Sequence, residues 1–181
     1  DLIKSEERDP MQATSYGTGQ LIKAAMDEGC QKIILGIGGS ATNDGGVVMA
    51  QALGIRFLDD QGDPIGFGGG QLGKISKIDT SSLDPRCKET NIKVASDVEN
   101  VLTGPEGASA IFGPQKGASQ EDVQVLDKNL THLAEMLYKV TGQDIGNIPG
   151  TGAAGGMGAC LIPFLNATFN VGIELVMGLT S

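Results

Sequence analysis

The chain has no tryptophan, two tyrosines and five phenylalanines in 181 residues, too few aromatics for an extended base-stacking surface. It has one histidine, His132, and three cysteines, Cys30, Cys87 and Cys160, with no C-x-x-C pair. Zinc-ligand sets and a Ser-His-Asp triad therefore have little to build from. Three scattered cysteines read most simply as reduced thiols in a cytoplasmic protein. Positive charge is also scarce: 13 Lys and Arg stand against 22 Asp and Glu, a formal net charge of −9. That balance argues against nonspecific nucleic-acid or anionic-membrane binding, because both partners need a basic face. A phosphorylated small molecule needs only a local positive site. No apolar run reaches the roughly 18–20 residues of a membrane span, and the longest, AAGGMGACLIPFL, is short and contains Pro163. No signal peptide is visible at the start, and the first residue is Asp1, so a processed, truncated or excised chain is expected.

What the chain has in excess is glycine, 28 residues, about twice the usual share of roughly 7%. The glycines cluster, which is the pattern of specialised turns. The densest cluster, GIGGSATNDGG from Gly36 to Gly46, follows the apolar KIIL, suited to a central strand, and precedes VVMAQALGI, suited to a helix stopping at Gly54. QLIKAAMDEGC is an amphipathic helix ending at Gly29, IRFLDD a short strand, and DDQGDP a turn. GFGGGQLGKISKID starts as a glycine loop closing in a helical turn, and NIKVASD is a strand ending at Asp97. EGASAIF is one short helix. Residues 119–140 form the clearest helix, with Ser119 as its cap, Asp122 completing a capping box, and Val123, Leu126, Leu130, Leu133 and Leu137 marking the buried face. IPGTGAAGGMGACLIPFL gives a loop and then a helix. Strands alternating with helices imply a single α/β domain over 1–181.

At a strand-to-helix turn, successive glycines let several N–H groups converge on an anion. Ser40, Thr42 and Asn43 add hydrogen bonds, and Asp44 either caps the following helix or holds a metal. The P-loop G-x-x-x-x-G-K-[ST] is absent. GIGGSA fits the dinucleotide fingerprint G-x-G-x-x-A, with Asp59 and Asp60 following a strand about 20 residues later. Asp97, at a strand's C-terminal end, is placed to face a ligand crevice, where it would coordinate Mg²⁺, accept a hydroxyl proton, or simply end a strand. GPQKG restrains Lys116 between proline and glycine; its alternatives are pairing with phosphate or carboxylate and a solvated loop position. GTGAAGG admits either a ligand phosphate or a helix packed on small residues, packing being favoured. His132 falls on the polar face with Lys128, Glu135 and Lys139, and is given no catalytic role.

Taken in order, ERDPMQATSYGTGQLI, IILGIGGSATNDGGVVMAQALGIRFLD, GFGGGQLGKISKID, VASDVENVLTGPEGASAIFGPQKGAS and PGTGAAGGMGACL resemble the glycerate kinase family. The resemblance implies a kinase that transfers the ATP γ-phosphoryl group to a hydroxyl of glycerate with Mg²⁺, giving 2-phosphoglycerate, with 3-phosphoglycerate left open. It implies a mixed sheet with flanking helices, the inserted second domain of a two-domain enzyme whose Rossmann-like domain is built from both chain ends. With half of that cleft missing, weak ligand binding without turnover is one expectation for the segment alone. The family pattern has Cys-Asp-Val-Asp-Asn-Pro where this chain reads SDVENV, so Asp97 is kept while Ser96, Glu99 and Val101 depart. By this resemblance, Gly38, Gly39, Ser40, Thr42 and Asn43 would meet an anionic group of substrate or nucleotide. Asp44 and Asp97 would bind Mg²⁺ or orient the hydroxyl, and Lys116 would stabilise charge. The partners are small molecules, and a homo-oligomer is compatible. Two rival classes stand beside it. An oxidoreductase using GIGGSA would be stabilised by NADH rather than ATP, and a noncatalytic binding or interface domain would be stabilised strongly by neither.

Overall fold

The computed structural model describes residues 4–170. Its helices are α1 (Tyr16–Asp27), α2 (Val47–Ala52), α3 (Arg86–Glu89), α4 (Ala108–Phe112), α5 (Gln120–Thr141), α6 (Ala153–Gly156) and α7 (Gly158–Leu165). Its strands are β1 (Lys32–Gly36), β2 (Arg56–Leu58), β3 (Lys77–Asp79), β4 (Asn91–Ala95) and β5 (Thr168–Asn170).

Both senses of pairing are present. β1, β4 and β5 form a parallel sheet with β4 in the middle, and Gly36 lies opposite Ala95. β2 and β3 form a separate antiparallel ribbon in which Phe57 faces Ile78. The architecture is therefore α/β and mixed. One expectation is corrected: among the described residues β1 lies at the edge of the sheet, not at its centre, and Ile34 on it is 37% exposed. A second correction concerns KISKID. Only Gly69–Lys74 forms a 3-10 turn, and Lys77–Asp79 leaves it to pair with β2.

The core closes around α5. Ser119 accepts the Asp122 N–H and the Asp122 carboxylate accepts the Ser119 N–H, a complete capping box. Leu126, Leu130, Leu133 and Leu137 are fully buried, while Val123 is half-buried; each leucine contributes roughly 1.5–3 kcal/mol relative to exposure. α1 lies on α2 at Gly19, where a Cβ would stand 2.4 Å from the Met49 carbonyl oxygen. The final glycine-rich segment is two helices rather than one. Within α6, Ala154 (φ 51°, ψ 40°) and Gly155 (φ 72°, ψ 33°) leave helical geometry and kink the chain before α7. No helix among the described residues is long and apolar enough to cross a membrane.

Candidate active site

β1 and β4 run parallel and in register, so the loops that follow them leave the same edge of the sheet. Between these loops lies a cavity of about 470 Å³. Gly38, Gly39 and Ser40 line it from the first loop, Ser96 and Asp97 from the second, and Lys116 from the 3-10 turn Pro114–Lys116. Phe112 and the Ala153–Ala154 bend complete its wall. This is the crevice at strand C-termini where open α/β sheets take ligands. Two larger depressions, of about 590 and 560 Å³, lie around Leu83 and Pro85 and contain none of these residues.

Gly38 and Gly39 are exposed, and among the described residues their amides donate to no backbone acceptor. A Cβ on either would meet nothing within 4 Å. The turn itself is held by its side chains. Ser40 Oγ lies 2.9 Å from Thr42 Oγ1 and accepts the Thr42 N–H, and Thr42 Oγ1 donates to the Ala154 carbonyl at 3.4 Å.

Lys116 is not a solvated loop lysine. It is 5% exposed, and its Nζ donates to the Thr42 carbonyl at 2.7 Å. Burial pulls its pKa down to about 8, with the charge of Asp44 opposing the shift. An ammonium has three donors, so two remain beyond the Thr42 bond. Arg8 donates from Nη1 to the Gln115 carbonyl at 3.0 Å and so fixes the turn that carries the lysine.

The cavity does not gather every residue the sequence nominated. Thr42, Asn43 and Asp44 do not line it. Asn43 is fully buried and donates from Nδ2 to Ser109 Oγ at 2.9 Å, with its Oδ1 left without a partner. Asp44 is also fully buried. Its Oδ2 accepts the Ser15 N–H and hydroxyl, both at 2.8 Å, and its Oδ1 accepts the Gly46 N–H. Burial pushes the Asp44 pKa up, and those hydrogen bonds oppose the shift. Its role at this position is to close the glycine loop onto α1 and α2. Among the described residues no three His, Cys, Asp or Glu side chains converge as a metal cage would.

His132 is also corrected. It is partly buried, with Nε2 2.6 Å from the Ile75 carbonyl, because α5 packs against the 3-10 turn Gly69–Lys74. The glycines of GTGAAGG serve packing: a Cβ on Gly155 would lie 1.9 Å from the Thr42 carbonyl oxygen. The dinucleotide reading loses its geometry, since α2 begins only at Val47 and Asp59 follows the antiparallel ribbon instead of the parallel sheet. Cys87 and Cys160 are buried, and burial raises both thiols, Cys87 to about 11, so neither is poised as a nucleophile. Ser96 and Gln115 line the cavity without having been singled out from the sequence. Only the strand end before Ser96 pointed to it.

The family model described as "Glycerate kinase family" matches residues 1–181. The chain is 54% identical over 176 residues to a glycerate 2-kinase of Escherichia coli, covering 97% of this chain and 46% of that protein. It is 50% identical over 180 residues to a glycerate kinase of Halalkalibacterium halodurans, covering 99% and 47%. A crystal structure described as a glycerate kinase 2 from Salmonella typhimurium LT2 superposes with a TM-score of 0.95 at 50% identity, over 97% of this chain and 47% of that one. The chain thus spans about half the length of the curated relatives it matches. With the sequence matched from end to end and the fold shared at that level, the chain belongs to the glycerate kinase family.

Proposed function

We propose that the protein containing this chain transfers the γ-phosphoryl group of ATP to a hydroxyl of D-glycerate, giving 2-phosphoglycerate, and that the chain supplies one wall of the active-site cleft as the inserted second domain. The observation that carries this reading is the shared cavity. Gly38 and Gly39, whose amides have no backbone acceptor among the described residues, line the same cavity as the buried Lys116 and the carboxylate-bearing Asp97.

Phosphoryl transfer needs positioning and charge neutralisation more than covalent chemistry by the protein. Asp97 orients the acceptor hydroxyl and takes its proton as the oxygen bonds to the γ-phosphorus. The bond from that phosphorus to the bridging oxygen breaks, and ADP leaves with the electron pair. Lys116 and the Gly38 and Gly39 amides hold negative charge in place. Mg²⁺ ordinarily keeps several waters and binds through one or two carboxylates plus substrate phosphates. Asp97 fits that donor set. Asp44 does not, because both of its oxygens are committed to Ser15 and Gly46. When bound, the ion would neutralise charge developing on the phosphate oxygens.

The test is a coupled assay of ADP release with D-glycerate on the full-length protein, with the phosphorylated position of the product identified. Asp97→Asn and Lys116→Ala should each lower turnover at least about tenfold, or roughly 1.4 kcal/mol in barrier. Unchanged rates in both variants would remove these assignments.

A further inference from the structure

We propose that Arg8 is a positioning residue of the candidate site: from outside the cavity it grips the turn on both sides of Lys116 and so holds the ammonium in the cavity wall. For its consequence in turnover the inference rests on the kinase reading, in which the segment carrying Arg8 has no part of its own.

Both chain neighbours of Lys116 are held by Arg8. Its Nη1 donates to the Gln115 carbonyl at 3.0 Å, across 107 positions of sequence, and a hydrogen bond from a guanidinium is stronger than one between neutral groups. On the other side, Gly117 has a left-handed backbone, φ 97°, and a Cβ there would stand 2.5 Å from the Arg8 carbonyl oxygen and 3.0 Å from the Arg8 Cβ. Main chain therefore lies directly on main chain at Gly117, an approach that glycine permits. Arg8 itself does not line the cavity, so its route to a bound substrate runs through Lys116.

The lysine needs that grip. Its turn is a 3-10 helix of three residues, Pro114–Lys116, a short element with poor hydrogen-bond geometry. The Lys116 and Ala118 amides both return to the Gly113 carbonyl, and the Gly117 amide to that of Pro114. The ammonium is buried against the uncharged Thr42 carbonyl, so a swing into water would relieve its desolvation. Arg8 opposes that swing. The same segment continues along two other glycine loops: the Met11 carbonyl accepts the Gly70 N–H at 2.9 Å, and Ser15 donates twice to Asp44 in the loop after β1. Residues 8–15 thus strap three glycine-rich loops together, with Arg8 at the end that meets the lysine turn. A misplacement of about 1 Å caused away from the chemistry costs on the order of a hundredfold in rate.

The test is a double-mutant cycle on the full-length protein, read as kcat for ADP release with D-glycerate. Arg8→Met, which keeps an apolar stem and removes the donor, should lower kcat at least about tenfold. In the Lys116→Ala background the same change should cost less than about twofold, because the group it positions is gone. Amide hydrogen exchange reads the turn without reference to catalysis. In Arg8→Met, Lys116, Gly117 and Ala118 should exchange at least about tenfold faster, while Leu130 and Leu133 on α5 keep their wild-type rates. Should Arg8→Met lose its cooperative melt, Arg8→Gln, whose side chain is shorter but polar, carries the same measurements. The proposal is overturned if the Arg8 change costs as much without Lys116 as with it, or if exchange at residues 116–118 stays at the wild-type rate. Failure of the kinase reading would look different: the wild-type full-length protein would release no ADP with D-glycerate, while the exchange difference at residues 116–118 would still appear.

Discussion

Two glycine-rich stretches meet above the parallel sheet, and they use the residue for opposite ends. Across Gly36–Gly39, a side chain on Gly36, Gly38 or Gly39 would enter empty space, and only Gly39 has the left-handed backbone, at φ 72°, that favours glycine. At the second contact, Gly45 and Gly46 lie against Gly155 and Gly156, and every added Cβ would collide. The nearest atoms are Leu133 Cδ2 at 2.3 Å from Gly45, the Met157 carbonyl at 2.8 Å from Gly46, and the Thr42 carbonyl at 1.9 Å from Gly155. The Gly45 N–H donates directly to the Gly155 carbonyl at 3.0 Å. Composition alone gives both stretches the same signature. Only the space around each Cα separates a glycine kept for packing from one that leaves room for a ligand.

Substitution should break the two regions in different currencies. The largest effect is expected from Gly155→Ala, which combines a left-handed backbone with a clash against main chain. It should cost at least about 3 kcal/mol, lowering Tm by roughly 6–12 °C for a chain of this size, as a thermal melt would read. Asp44→Asn, which turns a buried acceptor of three hydrogen bonds into a group whose N–H₂ opposes the Ser15 donors, should cost about 2–3 kcal/mol. Gly38→Ala inverts the pattern. Its stability should stay within about 0.5 kcal/mol of wild type, while D-glycerate affinity falls at least about tenfold, or roughly 1.4 kcal/mol.

The smaller predictions sharpen the contrast. D-glycerate affinity should fall as pH rises through about 8, where buried Lys116 loses its proton, with Asp44 the charged neighbour that resists that loss. Folding stability should run the other way. From about 8 up to the ordinary value of 10.5, the unfolded chain holds a proton that folded Lys116 has released, so the Lys116 contribution to stability rises with pH across that window. Paired calorimetry and urea melts should show both slopes in the wild type and neither in Lys116→Met. The smallest effect is a control outside both glycine regions: Ser119→Ala, at the cap of α5, should cost about 1 kcal/mol and leave ligand affinity unchanged.

The legible parts of the fold were those fixed by local rules. The α5 capping box and leucine spacing, the α1 stripe and the β4 apolar pattern all follow from residues within a few positions of one another. What escaped depends on partners far along the chain. Asp44 turns inward because Ser15, 29 positions earlier, donates to it twice. Lys116 is buried because the Thr42 carbonyl, 74 positions away, accepts its ammonium and Arg8 packs its backbone over Gly117. β3 is three residues long and exists only through its pairing with β2. The break at Ala154–Gly155 is imposed by the glycine loop it packs against. At the candidate site, the strand-end position of Asp97 and the glycine turn were readable, whereas the division between lining and buried residues within GGSATND was not.

The parallel ladder from Lys32↔Asn91 to Gly36↔Ala95 also acts as a ruler. Each rung is about 3.3 Å long and alternates faces, so sliding β4 by one rung would carry Asp97 that distance from Gly38 and turn its side chain to the opposite side of the sheet. The spacing between Asp97 and the Gly38–Gly39 turn is thus metered by five backbone pairs. A mutation at the far end of the sheet that let the strands slip would pull the candidate site apart with every one of its residues still in the chain.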